Sequence, residues 1–276
     1  MFAYNIVQFA LINRERIDIL SLFGEEQGVK YVLASISLYM ILIASSYEVA
    51  PFNTIIIQAV VLEDKFRYEL VKLDTERGEI VCRYYSSNTH NPASVAVVYV
   101  TGVGGGWGTP AIGMYPRLCG SLARIGIDGL RVRYRHPTDL LESVFDTLAG
   151  VAFLKEEHRT KAIGLVGHSF GGAVVIQAAV EALDIVSTIV TLATQSYGAA
   201  HEVSKLKQGT SALMIHGSDD KVLPVYCSEQ LYQKAHEPKQ IVLCEGAGHR
   251  LDEVSEEVDE LVYGWLVNNL LSRDTS

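Results

Sequence analysis

The sequence predicts an α/β protein with a mostly parallel sheet and helices on both faces. From about residue 95 onward, short β-branched runs alternate with segments whose apolar residues recur at helical spacing. The run VAVVYVT at 95–101 is continuously apolar until its last residue, which is typical of a strand covered on both faces. The composition, 49% hydrophobic and 20% charged over 276 residues, is that of a globular chain with a sizeable core.

A half-exposed β-hairpin is expected before this region. Apolar and polar residues alternate along residues 65–87, KFRYELVKLDTERGEIVCRYYSS, on either side of a turn at Glu76, Arg77 and Gly78. The polar segment at 88–94 is then a loop that leads into the first central strand. We therefore expect the regular domain to span residues 64–276.

Strands and helices alternate after residue 101. The expected helices cover residues 115–126, 139–157, 171–183, 225–236 and 254–271. The expected strands cover residues 128–135, 162–167, 186–193, 211–217 and 240–245. Parallel strands joined by helices form right-handed units, and successive units place helices on both faces of one sheet.

The N-terminal residues 1–63 form a hydrophobic extension whose status the sequence leaves open. Residues 31–47 and 49–62 carry no charge, but the first run is slightly short of the roughly 20 apolar residues that span a bilayer. It is a membrane anchor, a helix and strand packed on the main domain, or a poorly ordered extension. We expect a cytoplasmic protein, with membrane association through residues 31–62 as the alternative.

The charge and the cysteine content argue against a nucleic-acid partner and against a zinc site. The formal net charge is −9, and no basic patch with interleaved aromatic residues points to nucleic acid. The four cysteines form no CxxC pair and match no zinc spacing, so we expect reduced thiols and no metal site.

A serine between glycines marks the candidate site. Residues 167–171, Gly-His-Ser-Phe-Gly, match the pattern GxSxG between an expected strand and an expected helix. A serine on such a sharp turn adopts a strained backbone, so its close neighbours must be glycines. The turn exposes the hydroxyl of Ser169 and aims the first amides of the helix at a reacting carbon, where negative charge develops.

The remaining chain supplies the groups that such a serine needs. A serine hydroxyl requires a base, and the base requires a carboxylate that orients it. Asp219 and Asp220 follow one expected strand, and His249 follows the next. Because ligand sites in open α/β sheets form at the carboxyl ends of strands, we expect these side chains to meet Ser169 there.

Three motifs in this order resemble the α/β-hydrolase superfamily over about residues 64–271. They are GHSFGG at 167–172, HGSDDKVLP at 216–224 and GAGH at 246–249. The resemblance implies a catalytic triad of Ser169, Asp220 and His249, with Asp219 as the runner-up acid. It gives His216 a structural hydrogen bond, and the four histidines His90, His158, His201 and His236 are expected at the surface.

The resemblance also implies an oxyanion hole and a class of substrate. The amides of Phe170 and Val103, with Gly104 as second choice, are the expected donors, although Thr101-Gly102 stands where many members carry His-Gly. Segment 194–210 is too short for a lid domain. The site is thus expected to be open.

Expected binding residues are Trp107, His168 and Tyr197, with Met114 and Tyr115 at the border. The chain looks like a lidless esterase or a dienelactone hydrolase, but one with serine where the best-known dienelactone hydrolases use cysteine. The implied activity is cleavage of a carboxylic ester or thioester without metal or organic cofactor. An acyltransferase with the same triad and a non-catalytic binding protein stay open as alternatives.

Overall fold

The structure is a computed structural model that describes residues 53–63, 66–87 and 94–271. Its strands are β1 (Asn53–Glu63), β2 (Phe66–Thr75), β3 (Gly78–Tyr85), β4 (Val95–Val100), β5 (Ile127–Arg133), β6 (Ala162–His168), β7 (Val186–Leu192), β8 (Ser211–Gly217) and β9 (Lys239–Cys244). Its α-helices are α1 (Pro110–Ala123), α2 (Leu140–Glu156), α3 (Phe170–Glu181), α4 (Tyr226–Lys234) and α5 (Ser255–Leu270).

The strands of the described residues form one nine-stranded sheet in the order β1-β2-β3-β5-β4-β6-β7-β8-β9. From β5 to β9 every neighbouring pair is parallel, while β1, β2 and β3 pair antiparallel with one another and β3 pairs antiparallel with β5. The predicted mostly parallel sheet is thereby confirmed. The expected hairpin is also present, because β2 and β3 pair around the turn before Gly78.

A further strand precedes the expected start of the regular domain. Strand β1 pairs with β2, and a strand packed on the main domain is one of the alternatives that the sequence leaves open for this extension. Residues 53–62 are uncharged and contain several β-branched side chains, which fits a strand as well as it fits a membrane segment. Residues 1–52, including most of the hydrophobic segment 31–62, lie outside the described residues, as does most of the expected loop at 88–94.

Two apolar cores lie on the two faces of the sheet. Helices α2, α3 and α4 supply side chains to one core, and α1 and α5 supply side chains to the other. The central strands β4, β7 and β8 are buried along their whole length, and β4 is the strand with the continuous apolar run that such burial favours. Within the residues that the structure describes, no helix is long and apolar enough to span a membrane.

The connection from β4 to α1 has an unusual start. Ala111, Ile112 and Gly113 form a left-handed turn with φ values of 49°, 48° and 82° at the beginning of α1. The regular part of the helix follows, so Pro116 falls near its first turn, where a missing N–H removes no helical hydrogen bond. The expected helix at 115–126 therefore matches the regular part of α1.

The loops that follow β4, β6, β8 and β9 leave the sheet at the same edge. This edge is defined by the carboxyl ends of the parallel strands, and it carries the glycine-rich loop, Ser169, the two aspartates and His249. Between β7 and β8 the chain contains only a short 3-10 helix, Glu202–Lys205, so this connection holds no lid domain.

Candidate active site

Ser169 sits on a strained turn between β6 and α3. Its backbone has φ 56° and ψ −120°, a conformation that costs a non-glycine residue about 1–3 kcal/mol. The turn requires glycines around the serine. A Cβ atom on Gly167 would lie 2.1 Å from the carbonyl oxygen of Gly171, and one on Gly171 would lie 2.5 Å from that of Thr101. A hydrogen bond to the neighbouring strand helps to hold this conformation, because the Ser169 amide donates to the carbonyl of Leu192 at 2.8 Å.

His249 connects Ser169 to Asp220. Its Nε2 lies 3.0 Å from Ser169 Oγ, and its Nδ1 lies 2.7 Å from Asp220 Oδ2. Asp220 is an acceptor, so the natural tautomer has the proton on Nδ1 and leaves Nε2 to accept from the serine hydroxyl. The three side chains predicted from sequence are brought together in the arrangement of a nucleophile, a base and an orienting acid.

Asp220 is held as a carboxylate by its surroundings. Its side chain is fully buried. Its Oδ1 accepts from the amides of Val222 and Leu223 at 2.7 and 2.9 Å. Burial raises the pKa of Asp220, but the hydrogen bonds from His249, Leu223 and Val222 outweigh burial and lower this pKa from its ordinary value.

Asp219 faces away from this arrangement. It is exposed, and its backbone amide donates to the carbonyl of Ala247 at 3.0 Å. The side chain that meets His249 is that of Asp220, the residue at the fifth position of the HGSDDKVLP motif.

A second histidine contacts the same carboxylate. His216, at the end of β8, is completely buried, and its Nε2 lies 3.2 Å from Asp220 Oδ2 and 3.0 Å from the carbonyl of Leu223. Its Nδ1 lies 2.7 Å from Ser228 Oγ on α4. The expected hydrogen bond of His216 is present, but its contact with Asp220 was not expected from the sequence.

His168 supports the loop that carries His249. Its ring is buried, and its Nε2 lies 2.9 Å from the backbone carbonyl of His249. Burial lowers the pKa of His168 to about 4, so the ring is neutral at neutral pH and donates from Nε2 to that carbonyl. These contacts favour a supporting role over the substrate contact that we expected.

The glycine-rich loop approaches the serine from the end of β4. A Cβ atom on Gly102 would lie 3.3 Å from Ser169 Cβ, so the backbone of Gly102 is in direct contact with the serine. Gly105 donates to the carbonyl of Gly102 at 3.0 Å, which makes Val103 and Gly104 the central residues of a turn. Among the described residues, no hydrogen bond occupies the amides of Val103 or Phe170. Both predicted oxyanion donors thus have open amides on loops that contact the serine.

The aromatic residues expected at the site lie in different surroundings. Trp107 packs on the guanidinium groups of Arg83 and Arg131, 4.1 and 5.6 Å from its ring centre, and its carbonyl accepts from Arg131. Tyr197 is 74% exposed in the loop after β7 and is free to contact a ligand. The structure therefore brings Trp107 to the loop of the expected oxyanion hole, but it packs the ring against β3 and β5.

Met114 and Tyr115 belong to the core rather than to the border of the site. Both are at most 1% exposed, and the Tyr115 hydroxyl donates to the carbonyl of Val100 at 3.0 Å. Both follow the left-handed turn at the start of α1 and belong to the same apolar core as Tyr99, whose ring centre lies 5.2 Å from that of Tyr115. Within residues 53–63, 66–87 and 94–271, no group of three or more His, Cys, Asp or Glu side chains could hold a metal ion.

Comparison with known proteins agrees with this geometry. A sequence model of the dienelactone hydrolase family matches residues 133–261, which include Ser169, Asp220 and His249. A search of curated protein sequences finds no significant match.

Many solved structures share the fold. Est1E from Butyrivibrio proteoclasticus has a TM-score of 0.64 at 17% identity and covers 72% of this chain and 98% of its own. A dienelactone hydrolase from Anabaena variabilis has a TM-score of 0.65 at 17% identity, covering 74% and 98%. A lidless α/β serine hydrolase from Xanthomonas campestris has a TM-score of 0.62 at 16% identity, covering 76% and 98%.

The family match, the fold and the serine at the strand-to-helix turn agree with one another and with the absence of a lid domain after β7 in the described residues. The chain has the α/β-hydrolase fold, and its residues 133–261 are similar to the dienelactone hydrolase family.

Proposed function

We propose that the protein is a serine hydrolase that cleaves a carboxylic ester or thioester of modest size through an acyl-enzyme on Ser169. The observation that carries this proposal is the hydrogen-bonded series Ser169 Oγ, His249 and Asp220, with separations of 3.0 and 2.7 Å. The names of the similar structures, which include esterases and a dienelactone hydrolase, support the choice of an ester bond.

In the acylation step, His249 acts as general base. Its Nε2 takes the proton of Ser169 Oγ as the oxygen attacks the carbonyl carbon, and the same proton is then given to the leaving alcohol or thiol. Asp220, whose lowered pKa keeps it ionised at neutral pH, holds the Nδ1 proton and stabilises the imidazolium that forms.

The negative charge of the tetrahedral intermediate develops on the former carbonyl oxygen. The amides of Phe170, at the start of α3, and of Val103 are the proposed donors, with Gly104 next in line. The N-terminus of α3 adds a favourable dipole. Removal of one such donor costs about 10²–10³-fold in kcat in related chemistry.

In the deacylation step, water replaces the leaving group. His249 removes a proton from water, which attacks the acyl carbonyl and releases the acid and Ser169. Water reaches this position because the edge of the sheet is open after β7, where the connection holds only the short helix Glu202–Lys205.

The substrate is proposed to carry an apolar or aromatic group. Three exposed apolar side chains lie on loops at the same edge of the sheet as Ser169. They are Val103 after β4, Tyr197 after β7 and Val222 after β8. A second structure of Est1E contains ferulic acid and has a TM-score of 0.61 with this chain. Aryl-acid esters such as feruloyl esters therefore belong in the first substrate panel.

The test is labelling of the full chain with a fluorophosphonate probe, together with turnover of p-nitrophenyl esters of graded chain length and one acyl thioester. The wild type is expected to be labelled and Ser169→Ala is not. Ser187→Ala is a matched control, because Ser187 is 7% exposed and Ser169 is 8% exposed, but Ser187 lies at the opposite end of β7.

Labelling that persists in Ser169→Ala, or a folded wild type without labelling or turnover, would contradict the proposal. The second result would favour a binding protein that keeps the fold. Added alcohols or thiols that capture the acyl group faster than water would move the assignment to an acyltransferase.

A further inference from the structure

We propose that His216 is a positioning residue that holds the Asp220 carboxylate and limits how strongly this carboxylate accepts from His249. The inference rests on the function proposed above. Its basis is a shared atom, because Asp220 Oδ2 lies 2.7 Å from His249 Nδ1 and 3.2 Å from His216 Nε2.

The proton positions on His216 follow from its partners. Its Nε2 faces the Leu223 carbonyl and the Asp220 carboxylate, which are both acceptors, so Nε2 carries a proton. It donates this proton to Leu223 at 3.0 Å and lies 3.2 Å from Asp220 Oδ2. Its Nδ1 faces the hydroxyl of Ser228, which donates to it at 2.7 Å. Both ring nitrogens of a neutral imidazole are thus satisfied in a site with no exposure to solvent.

Three hydrogen bonds reach the carboxylate, and the N–H group of His216 lies beside it. Val222 and Leu223 donate to Oδ1 and His249 to Oδ2, while His216 Nε2 is 3.2 Å from Oδ2. A polar N–H group this close to Oδ2 draws on the electron density of the oxygen, so the bond from His249 is weaker than it would be without His216. The second histidine therefore moderates the pull of Asp220 on the Nδ1 proton of His249 and fixes the rotation of the carboxyl group.

The position of His216 makes this effect specific. It is one of the last residues of β8, and the turn from Gly217 to Asp220 returns the carboxylate to its ring, with the Asp220 amide donating to the Gly217 carbonyl at 3.3 Å. Ser228 on α4 anchors the other side of the ring. The other titratable groups around His249 are His168, 4.9 Å away between ring centres, and the ion-paired Arg250 and Asp252 next to it in the chain.

Two substitutions of His216 separate donation from simple packing. The amide nitrogen of His216→Gln reaches the place of Nε2 and keeps an N–H group beside Asp220. The side chain of His216→Asn reaches only the place of Nδ1, so it keeps a partner for Ser228 and loses the N–H group beside Asp220. The two variants differ by one methylene and carry the same chemical group.

The first readout is the downfield proton resonance of the His249 Nδ1–H in the resting protein, which reports the strength of its bond to Asp220. The second is the acid limb of kcat/KM against pH with a p-nitrophenyl ester. In His216→Asn we expect the resonance to move further downfield and the acid limb to move to a higher pH by about half a pH unit. We also expect kcat to fall several-fold while KM stays unchanged. His216→Gln is expected to match the wild type in all four.

Ser228→Ala keeps the inference testable if His216→Asn does not fold. Loss of the hydroxyl that donates to Nδ1 makes the Nε2 proton a weaker donor, so we expect a smaller change in the same direction. Ser143→Ala is the control, since Ser143 is also fully buried and its hydroxyl donates to a carbonyl, that of His136.

Equal behaviour of the Asn and Gln variants, or a folded His216→Asn with both readouts unmoved, would overturn the inference. A wild type that hydrolyses no ester would contradict the proposed function, yet the resonance would still test His216, because it is measured without substrate.

Discussion

Two regions of the molecule combine an aspartate, a histidine and a hydroxyl group, but only one has the form of a catalytic site. At the carboxyl edge of the parallel strands, His249 lies between the hydroxyl of Ser169 and the carboxylate of Asp220. Towards the opposite edge, the hydroxyl of Tyr84 lies between Asp128 and His158, donating to the carboxylate, with His158 Nδ1 2.9 Å away.

The order of the three groups decides what each cluster can do. In the first, the base contacts the hydroxyl and can remove its proton. In the second, the only proton of Tyr84 is committed to Asp128, so His158 donates to the phenol oxygen. Burial and the neighbouring Asp128 raise the pKa of Tyr84 far above its ordinary value. The residue types alone therefore do not identify a site; connectivity and access do.

Replacement of the two histidines gives the sharpest contrast and the largest effect. His249→Gln removes the base and is expected to lower kcat/KM for a p-nitrophenyl ester by about 10⁴-fold or more. His158→Gln is expected to change it by less than about threefold, because the Tyr84 cluster takes no part in the reaction. Steady-state kinetics of both variants measure this, and similar losses in the two would remove the distinction between the clusters.

The two adjacent aspartates provide the next contrast. Asp220→Asn keeps the size of the side chain but favours the wrong tautomer of His249, so kcat is expected to fall by about 10³–10⁴-fold. Asp219→Asn, in the exposed neighbour, is expected to stay within about twofold. If Asp219→Asn were the damaging variant, the assignment of the acid would be reversed.

Substitutions of two helical glycines test how tightly the turn at Ser169 is packed. A Cβ atom on Gly172, in α3, would lie 2.0 Å from Thr194 Oγ1, a hydroxyl that itself donates to the Ser169 carbonyl. Gly172→Ala is expected to destabilise the fold by about 1–3 kcal/mol through overpacking. A Cβ atom on Gly264, in α5, would meet nothing within 4 Å. Gly264→Ala is therefore expected to raise the free energy of unfolding by about 0.5–1 kcal/mol. Chemical denaturation measures both, and a neutral Gly172→Ala would refute the tight packing of the turn.

Stability is expected to fall as the pH drops from 6.5 towards 4. Burial lowers the pKa of His168 to about 4 and also lowers that of His158, so the unfolded state binds more protons in this range. The stability that the two neutral rings contribute is complete above the ordinary histidine pKa and is lost as the pH falls and both rings are forced to protonate. Urea unfolding at several pH values should show a weaker dependence in His168→Asn, and an unchanged dependence would refute the role of His168.

The sequence predicted the residues that chemistry constrains most tightly. Gly167, Gly171 and Ser169 were identified because a strained strand-to-helix turn tolerates few residue types. The mostly parallel sheet and the positions of most strands followed from periodicity, and the acid and base followed from their places after strands.

Other features depend on contacts that no local pattern records. Met114 and Tyr115 are buried, and they follow a left-handed turn at residues 111–113 that the sequence did not indicate. His158 was expected at the surface, but its ring packs on Phe153 and on Tyr84, and Tyr84 is distant in sequence. The contact between His216 and Asp220 was missed for the same reason. The dipeptide His216-Gly217 carries little information by itself, and the contact forms only because the loop after β8 brings Asp220 back to the His216 ring.

The most direct test of the central claim is to trap the acyl-enzyme. Wild-type protein would be mixed with a p-nitrophenyl ester, quenched in acid within milliseconds to seconds, and analysed by peptide mass spectrometry alongside the time course of p-nitrophenol release. We predict a burst of p-nitrophenol and an acyl adduct on Ser169, both absent from Ser169→Ala. An adduct on another residue, or steady turnover by Ser169→Ala at the wild-type rate, would contradict the account.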